Sequence, residues 1–301
     1  MFVAAIFCVA TASAKCRIVS LSNKVAEVGI CVEHGRIIVF KLVGGSNVLW
    51  RNTGSLKVAF LRGWNNYGGD KVWLIPQNMR PSAFGNRLPD PDIDGKTWKI
   101  LKQTKSVLTI RSSLSKTLGC YVVRKIQLDP VAAVVMIDNQ VVQKEKTPFP
   151  VHIWQVSQMI KPEFAMLGLD NKAFPDRKTY FLHRGKKSRS KITVINEFLK
   201  IILPENGWDK INAFGEWLAA AGKDVIFIQA AKLESNKPYP ENSSIQIYGN
   251  EKYIEMETLS PLVHLKPGEK YGNHVVWGLL KTKKDNKIRD FAKSELRKRI
   301  K

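Results

Sequence analysis

The sequence predicts an all-β protein. Short runs rich in Val, Ile, Phe and Tyr recur along the chain. Turn signals containing Asn, Gly and Pro separate them at the roughly 8–12-residue spacing of antiparallel strands. Polar residues break the runs in a loose alternation, as in sheets with one wet face. Helical periodicity is confined to the tail, which excludes the βαβ alternation of a parallel sheet.

Taken in order, residues 17–21, 25–30, 36–42 and 47–50 read as short strands of a meander, joined at Asn-Lys, His-Gly and Gly-Gly turns. The stretch Gly63-Trp64-Asn65-Asn66-Tyr67-Gly68-Gly69-Asp70-Lys71-Val72-Trp73 follows and runs on to Pro76-Gln77. A plain turn needs its glycines and asparagines but not its aromatics. A plain core strand needs the aromatics but not Asp70-Lys71. The mixture suits a pocket rim that stacks on an apolar ring face and hydrogen-bonds its polar edge, the surface a sugar offers. The proline-rich stretch 81–95 has no period. It contains Asp90, Asp92 and Asp94, whose oxygens could ligate calcium, but their spacing is not that of an EF-hand and turn capping is expected.

Strands resume at residues 97–101, 107–112, 121–128 and 132–142. In 151–159, alternation puts His152, Trp154, Val156 and Gln158 on one face, a row that suits a pocket wall better than a core. Segments 201–203, 214–219, 225–230 and 244–248 lead to 252–259, where Tyr253, Glu255 and Glu257 share a face. The final strand covers 274–280. In the tail 285–301, Ile288, Phe291, Ala292, Leu296 and Ile300 recur at helical steps, so a short amphipathic helix against a sheet is expected. The total is roughly fifteen or more strands in one domain, residues 15–301, forming a large sandwich or barrel.

The first fourteen residues stand apart. An apolar stretch ends in Ala12-Ser13-Ala14, which matches a small-residue cleavage site, so 1–14 is expected to be a signal peptide and the protein secreted or periplasmic. The usual positive start of such a signal is missing. Of the four cysteines, Cys16, Cys31 and Cys120 lie beyond it; their spacing fits no zinc motif, and the sequence is equally consistent with one disulfide of open pairing and with buried free thiols. No metal or cofactor is expected. No later apolar run approaches the roughly 20 residues of a membrane helix.

The chain carries 48 Lys and Arg against 26 Asp and Glu, a formal charge of +22. Such a field attracts polyanions. No helix-turn-helix, zinc-finger or RNA-recognition pattern supports specific nucleic-acid binding. An anionic polysaccharide is the partner this charge suits in an exported protein, and a basic envelope scaffold is the alternative. Denser basic points fall at 184–189, 281–284 and 297–301.

Several blocks resemble a known group. Gly35-Arg36-Ile37-Ile38, Gly44-Gly45-Ser46-Asn47-Val48-Leu49-Trp50, Gly68-Gly69-Asp70-Lys71-Val72-Trp73 with Pro76-Gln77, and Tyr253-Ile254-Glu255 through Leu265-Lys266-Pro267-Gly268-Glu269 are similar to a family of exported bacterial proteins in the galactose-mutarotase-like (aldose 1-epimerase-like) superfamily. The resemblance spans residues 25–280. It implies a β-supersandwich with a carbohydrate cleft. It also implies a late-strand carboxylate base, here Glu255, with Glu257 as the neighbouring alternative, and a mid-chain imidazole acid, loosely matched by His152 beside Trp154. An Arg that follows the Gly pair in the superfamily is replaced by Asp70-Lys71, and the Asn-His-x-Tyr-Phe context of the acid is absent. The expected sugar contacts are Trp64, Asn66, Asp70, Lys71, Trp73, Gln77, Trp154 and Glu257. Sugar binding is the leading expectation, and epimerase activity is the alternative.

Overall fold

A computed structural model describes residues 16–52, 66–170, 180–184 and 190–300. Two antiparallel sheets make up the fold. The first runs from edge to edge as β1 (Ile18–Ser22), β2 (Ala26–Cys31), β3 (Arg36–Leu42), β4 (Asp70–Trp73), β9 (Trp154–Ile160), β18 (Tyr253–Leu259), β17 (Ile245–Gly249), β14 (Asp209–Ala213) and β11 (Tyr180–Arg184). The second runs β12 (Lys191–Ile195), β13 (Phe198–Ile202), β10 (Ala165–Gly168), β15 (Trp217–Ala221), β16 (Ile226–Ala231), β19 (Lys270–Leu280), β8 (Val134–Gln143), β7 (Cys120–Leu128), β6 (Val107–Arg111) and β5 (Lys99–Gln103). Sequence-adjacent strands pair as hairpins at β1–β2, β5–β6–β7–β8 and β17–β18, while β4 next to β9 and β8 next to β19 tie distant segments together. The expected all-β class holds. Residues 47–50 contribute only an isolated bridge, Leu49 to Met159, in place of the expected strand.

Alternation drives the packing. Along β7, Cys120, Val122, Arg124, Ile126 and Leu128 are buried while the residues between them are more open. The inward faces of both sheets meet in one large apolar core. Phe40 of the first sheet packs against Phe227 and Trp277 of the second, with ring centroids 5.8 and 5.7 Å apart. Rings at that spacing add edge-to-face attraction to the area they bury.

The tail is helical as its periodicity predicts. α2 (Asp285–Asp290) continues in helical turns to Arg299. Ile288, Ala292 and Leu296 are buried against Trp217, Ile228 and Val276, so this helix covers the outer face of the second sheet. The proline-rich segment holds one short helix, α1 (Arg80–Phe84), closed by Gly85 in the left-handed region. Cys16 pairs with Cys31, resolving the disulfide, and Cys120 is a buried free thiol. Asp90 caps its turn as expected, its Oδ1 accepting from the backbone N–H groups of Asp92 and Ile93 at 2.8 and 3.1 Å. Asp92 and Asp94 are engaged separately, by Lys96 and Arg36. The expected signal peptide, the sugar contact Trp64 and the basic residues 185–189 lie outside the described residues.

Candidate functional site

β4 decides where the glycine-rich stretch points. Gly68 and Gly69 precede it at φ of +80° and +69°. A Cβ at either would meet a backbone carbonyl oxygen, Trp50 O at 2.3 Å or Ile37 O at 2.4 Å. Only glycine tolerates both the dihedral and the approach. The pair turns the chain into β4 between β3 and β9. Strand alternation then sends Asp70 and Lys71 to opposite faces.

Asp70 goes inward. Its register row, Asp70, Ser157, Met256, Ile247 and Ile211, belongs to the face packed on the second sheet. There its carboxylate pairs with Arg124 of β7 and accepts from Ser157 Oγ at 2.8 Å. Arg124 also donates to Gly35 O and Asn139 Oδ1, and Asn139 donates to Gln155 Oε1 at 2.8 Å. The expectation that Asp70 contacts a sugar is therefore corrected: it is a fully buried strut between the sheets.

Lys71 goes outward, onto the face turned away from the second sheet. Two register rows build that face. One aligns His183, Lys210, Tyr248, Glu255 and Gln158 across five strands. The next aligns Asn212, Gln246, Glu257, Val156 and Lys71. A cavity of about 670 Å³ opens over these rows. Trp73 and Trp154, edge to face at 5.1 Å, form part of its lining, with Trp208, Tyr248 and Tyr253. Asn66, Gln77, Glu255 and Glu257 line it too, as expected from sequence. Asn66 Nδ2 donates to the Tyr253 hydroxyl at 3.2 Å.

The polar groups are tightly coupled. Glu255 Oε1 accepts from Gln158 Nε2 at 2.9 Å and lies 3.7 Å from Lys71 Nζ. Glu257 Oε2 accepts from Trp154 Nε1 at 2.8 Å and lies 3.8 Å from Lys210 Nζ. Burial pushes the Glu257 carboxyl up to about 7, against the pull of Lys210, with Glu255 and Glu241 adding to the rise. Burial draws the Lys71 ammonium down to about 8. For Lys210, burial acts downward but Glu257 and Glu241 outweigh it, so the ammonium stands above its ordinary value. Glu241 sits 3.1 Å from Lys210, on a short turn where Glu241 and Asn242 hold φ of +53° and +48°. Non-glycine residues in that region are strained, and such strain concentrates at functional sites.

His152 is the second correction. It precedes β9, is fully buried, and stacks on Trp154 with centroids 5.9 Å apart. It does not line the cavity among the described residues. Burial and the adjacent Arg80 hold its imidazole down to about 3, so it is neutral at physiological pH. The imidazole at the cavity is His183 of β11. Lys71, expected as a sugar contact, is on the outer face but buried beneath the cavity wall, paired with Glu255 and over the Trp73 ring at 4.8 Å.

Sequence reasoning missed Arg80, Arg87, His183, Trp208, Lys210 and Glu241. Alternation of Trp208, Lys210 and Asn212 was a usable signal for the third wall. Arg80 and Glu241 had none, because a five-residue helix and a short turn outside the strands carry them in.

No family model matches the chain, and no curated protein matches it in sequence. Solved structures do match. A candidate aldose 1-epimerase from Escherichia coli K12 aligns at TM-score 0.61 and 11% identity, covering 88% of this chain and 99% of that one. A galactose mutarotase-like protein from Lactobacillus casei aligns at TM-score 0.54 and 11% identity, covering 88% and 100%. A TPR-domain containing protein from Parabacteroides distasonis aligns at 0.59 and 14%, covering 90% of this chain and 48% of that one. At these identities the likeness speaks to fold. The strand order, the two packed sheets and these alignments agree with the resemblance in the sequence: the chain has the galactose-mutarotase-like β-sandwich fold.

Proposed function

We propose that the protein binds a carbohydrate in the cavity over β9, β18, β17 and β14. The observation that carries this reading is the lining: Trp73, Trp154, Trp208, Tyr248 and Tyr253 surround Glu255 and Glu257 on one sheet face. Aromatic faces stack on the C–H face of a pyranose, and paired carboxylates accept from its hydroxyls. Solved structures named as mutarotases or epimerases share the fold, which supports a sugar over other small ligands. The test is titration with common hexoses and uronic acids, read by tryptophan fluorescence and by selective broadening of sugar proton lines. Binding that survives Trp154→Phe and Trp208→Ala unchanged would refute this site.

A second reading, sugar epimerisation, is favoured by the placement of Glu257 in the cavity, where burial raises its carboxyl to about 7, a range suited to a general acid–base group. Freshly dissolved single-anomer sugars would then equilibrate faster with the protein, and Glu257→Gln would abolish the acceleration while keeping binding. Glu255→Gln tests the base that the resemblance implies. We also infer export: the Cys16–Cys31 disulfide suits an oxidising compartment. N-terminal sequencing of the protein recovered from culture medium and periplasm tests it, with a start at Lys15 expected.

A further inference from the structure

The charges around the cavity do not cancel evenly. Each cavity carboxylate has a lysine within 4 Å: Glu255 has Lys71, while Glu241 and Glu257 share Lys210. Arg80 and Arg87 have no such partner among the described residues. Arg87 stands at the exposed rim. Arg80 is different, since it is only 4% exposed yet lines the cavity. Its guanidinium lies over Trp73 at 4.4 Å and Trp154 at 5.3 Å, held by α1 at the edge of the aromatic floor.

One edge of that guanidinium is unspent. Nη1 donates to Arg87 O at 3.4 Å, whereas Nε and Nη2 have no hydrogen-bond partner among the described residues. Buried donors left open are costly, and native structures rarely leave them so without a ligand or water to satisfy them. Nε and Nη2 are the two parallel N–H groups that span the oxygens of a carboxylate in a side-on fork. Burial lowers the guanidinium only to about 10, so it is charged at neutral pH. A planar fork over an aromatic platform is a different device from a lysine's point charge.

We propose that Arg80 is the specificity residue of the cavity and reads the carboxylate of an acidic sugar, so that the ligand is a uronic acid or a chain ending in one. The inference rests on the sugar-binding reading above. Trp208, the exposed tryptophan of the same cavity, supplies the ring platform, and the Nε–Nη2 edge of Arg80 takes the carboxylate that distinguishes a uronate from its parent hexose.

The test compares D-glucuronate and D-galacturonate with D-glucose and D-galactose by calorimetric titration of the unmodified protein, with D-glucose 6-phosphate as a third arm. A charge-assisted fork predicts uronate binding tighter by about tenfold or more. Arg80→Gln should abolish the uronate preference, bringing uronate and hexose affinities of that variant to the same level. Arg80→Lys keeps the charge without the fork, and should lose most of the preference; a thermal melt of each variant reports its folding. Equal affinity for uronates and hexoses would overturn this inference and leave the sugar cleft standing. Preference for the 6-phosphate over uronates would overturn the carboxylate assignment. Binding of none of these sugars would overturn the cleft itself. If neither variant folds, the comparison on the unmodified protein still decides.

Discussion

Asp70 and Lys71 are neighbours in sequence, and the two faces they enter are both rich in buried charge. Inside, Asp70, Arg124, Ser157, Asn139 and Gln155 form a network joining the sheets through β4, β7, β8 and β9. Outside, Glu255, Glu257 and Lys210 line a cavity, with Lys71 buried behind Glu255. The inner cluster crosses between the sheets twice, from Arg124 to Asp70 and from Asn139 to Gln155. The outer cluster holds its charges at looser separations, shifts Glu257 and Lys71 toward neutral pH, and leaves Arg80 with open donors. Burial alone therefore does not mark a working site. What separates the two clusters is access: the outer carboxylates line a cavity, while the inner network is closed between the sheets.

The sharpest way to break this comparison is Asp70→Ala. It strands Arg124 in the core, and removing one partner of a buried pair costs about 3–5 kcal/mol. Denaturant titration should show that loss, while sugar affinity of the folded protein stays within about twofold. A fall in affinity with stability intact would place Asp70 on the working side. Next in size is Glu257. Its folded carboxyl is raised from 4.5 to about 7, so the folded state holds its proton more tightly than the unfolded chain. Stability from this group is then full below pH 4.5 and declines as pH rises towards 7, by about 3 kcal/mol. Chemical denaturation at pH 5 and pH 8 should show that decline in the unmodified protein and not in Glu257→Gln.

Smaller effects sharpen the outer region. Trp208 is 41% exposed and faces the cavity. Trp208→Ala should weaken sugar binding about three- to tenfold and change stability by less than about 0.5 kcal/mol. The smallest expected effect belongs to His152. Its imidazole is neutral throughout physiological pH, so His152→Gln should leave sugar affinity, and its dependence on pH between 6 and 8, within about twofold of the unmodified protein. A lost pH dependence would return His152 to the site.

Much of the cavity was legible from sequence. Tyr253, Glu255 and Glu257 were placed on one face by alternation, and all three line the cavity. Trp73, Asn66 and Gln77 followed from the mixture of aromatic and polar residues around the glycine pair, and Trp154 from the alternation along 151–159. The same rule could have separated Asp70 from Lys71, but a four-residue strand gives no sign of which side meets the second sheet. His152 failed for a related reason. Its parity matches Trp154, yet it lies before the strand begins, where the chain is covered from both sides.

By itself, the sequence determined the all-β class, the helical tail, the glycine turn into β4 and the shared face of Glu255 and Glu257. Each depends on local periodicity or on the dihedral freedom of single residues, which are encoded within a few positions. Tertiary structure alone decided that Asp70 meets Arg124 across 54 residues of chain and that Trp154 meets Glu257 across 103. It also paired Cys16 with Cys31 and brought Arg80 over two tryptophan rings. Those outcomes depend on strand order and register, and a sheet assembled from distant segments sets both only when it closes.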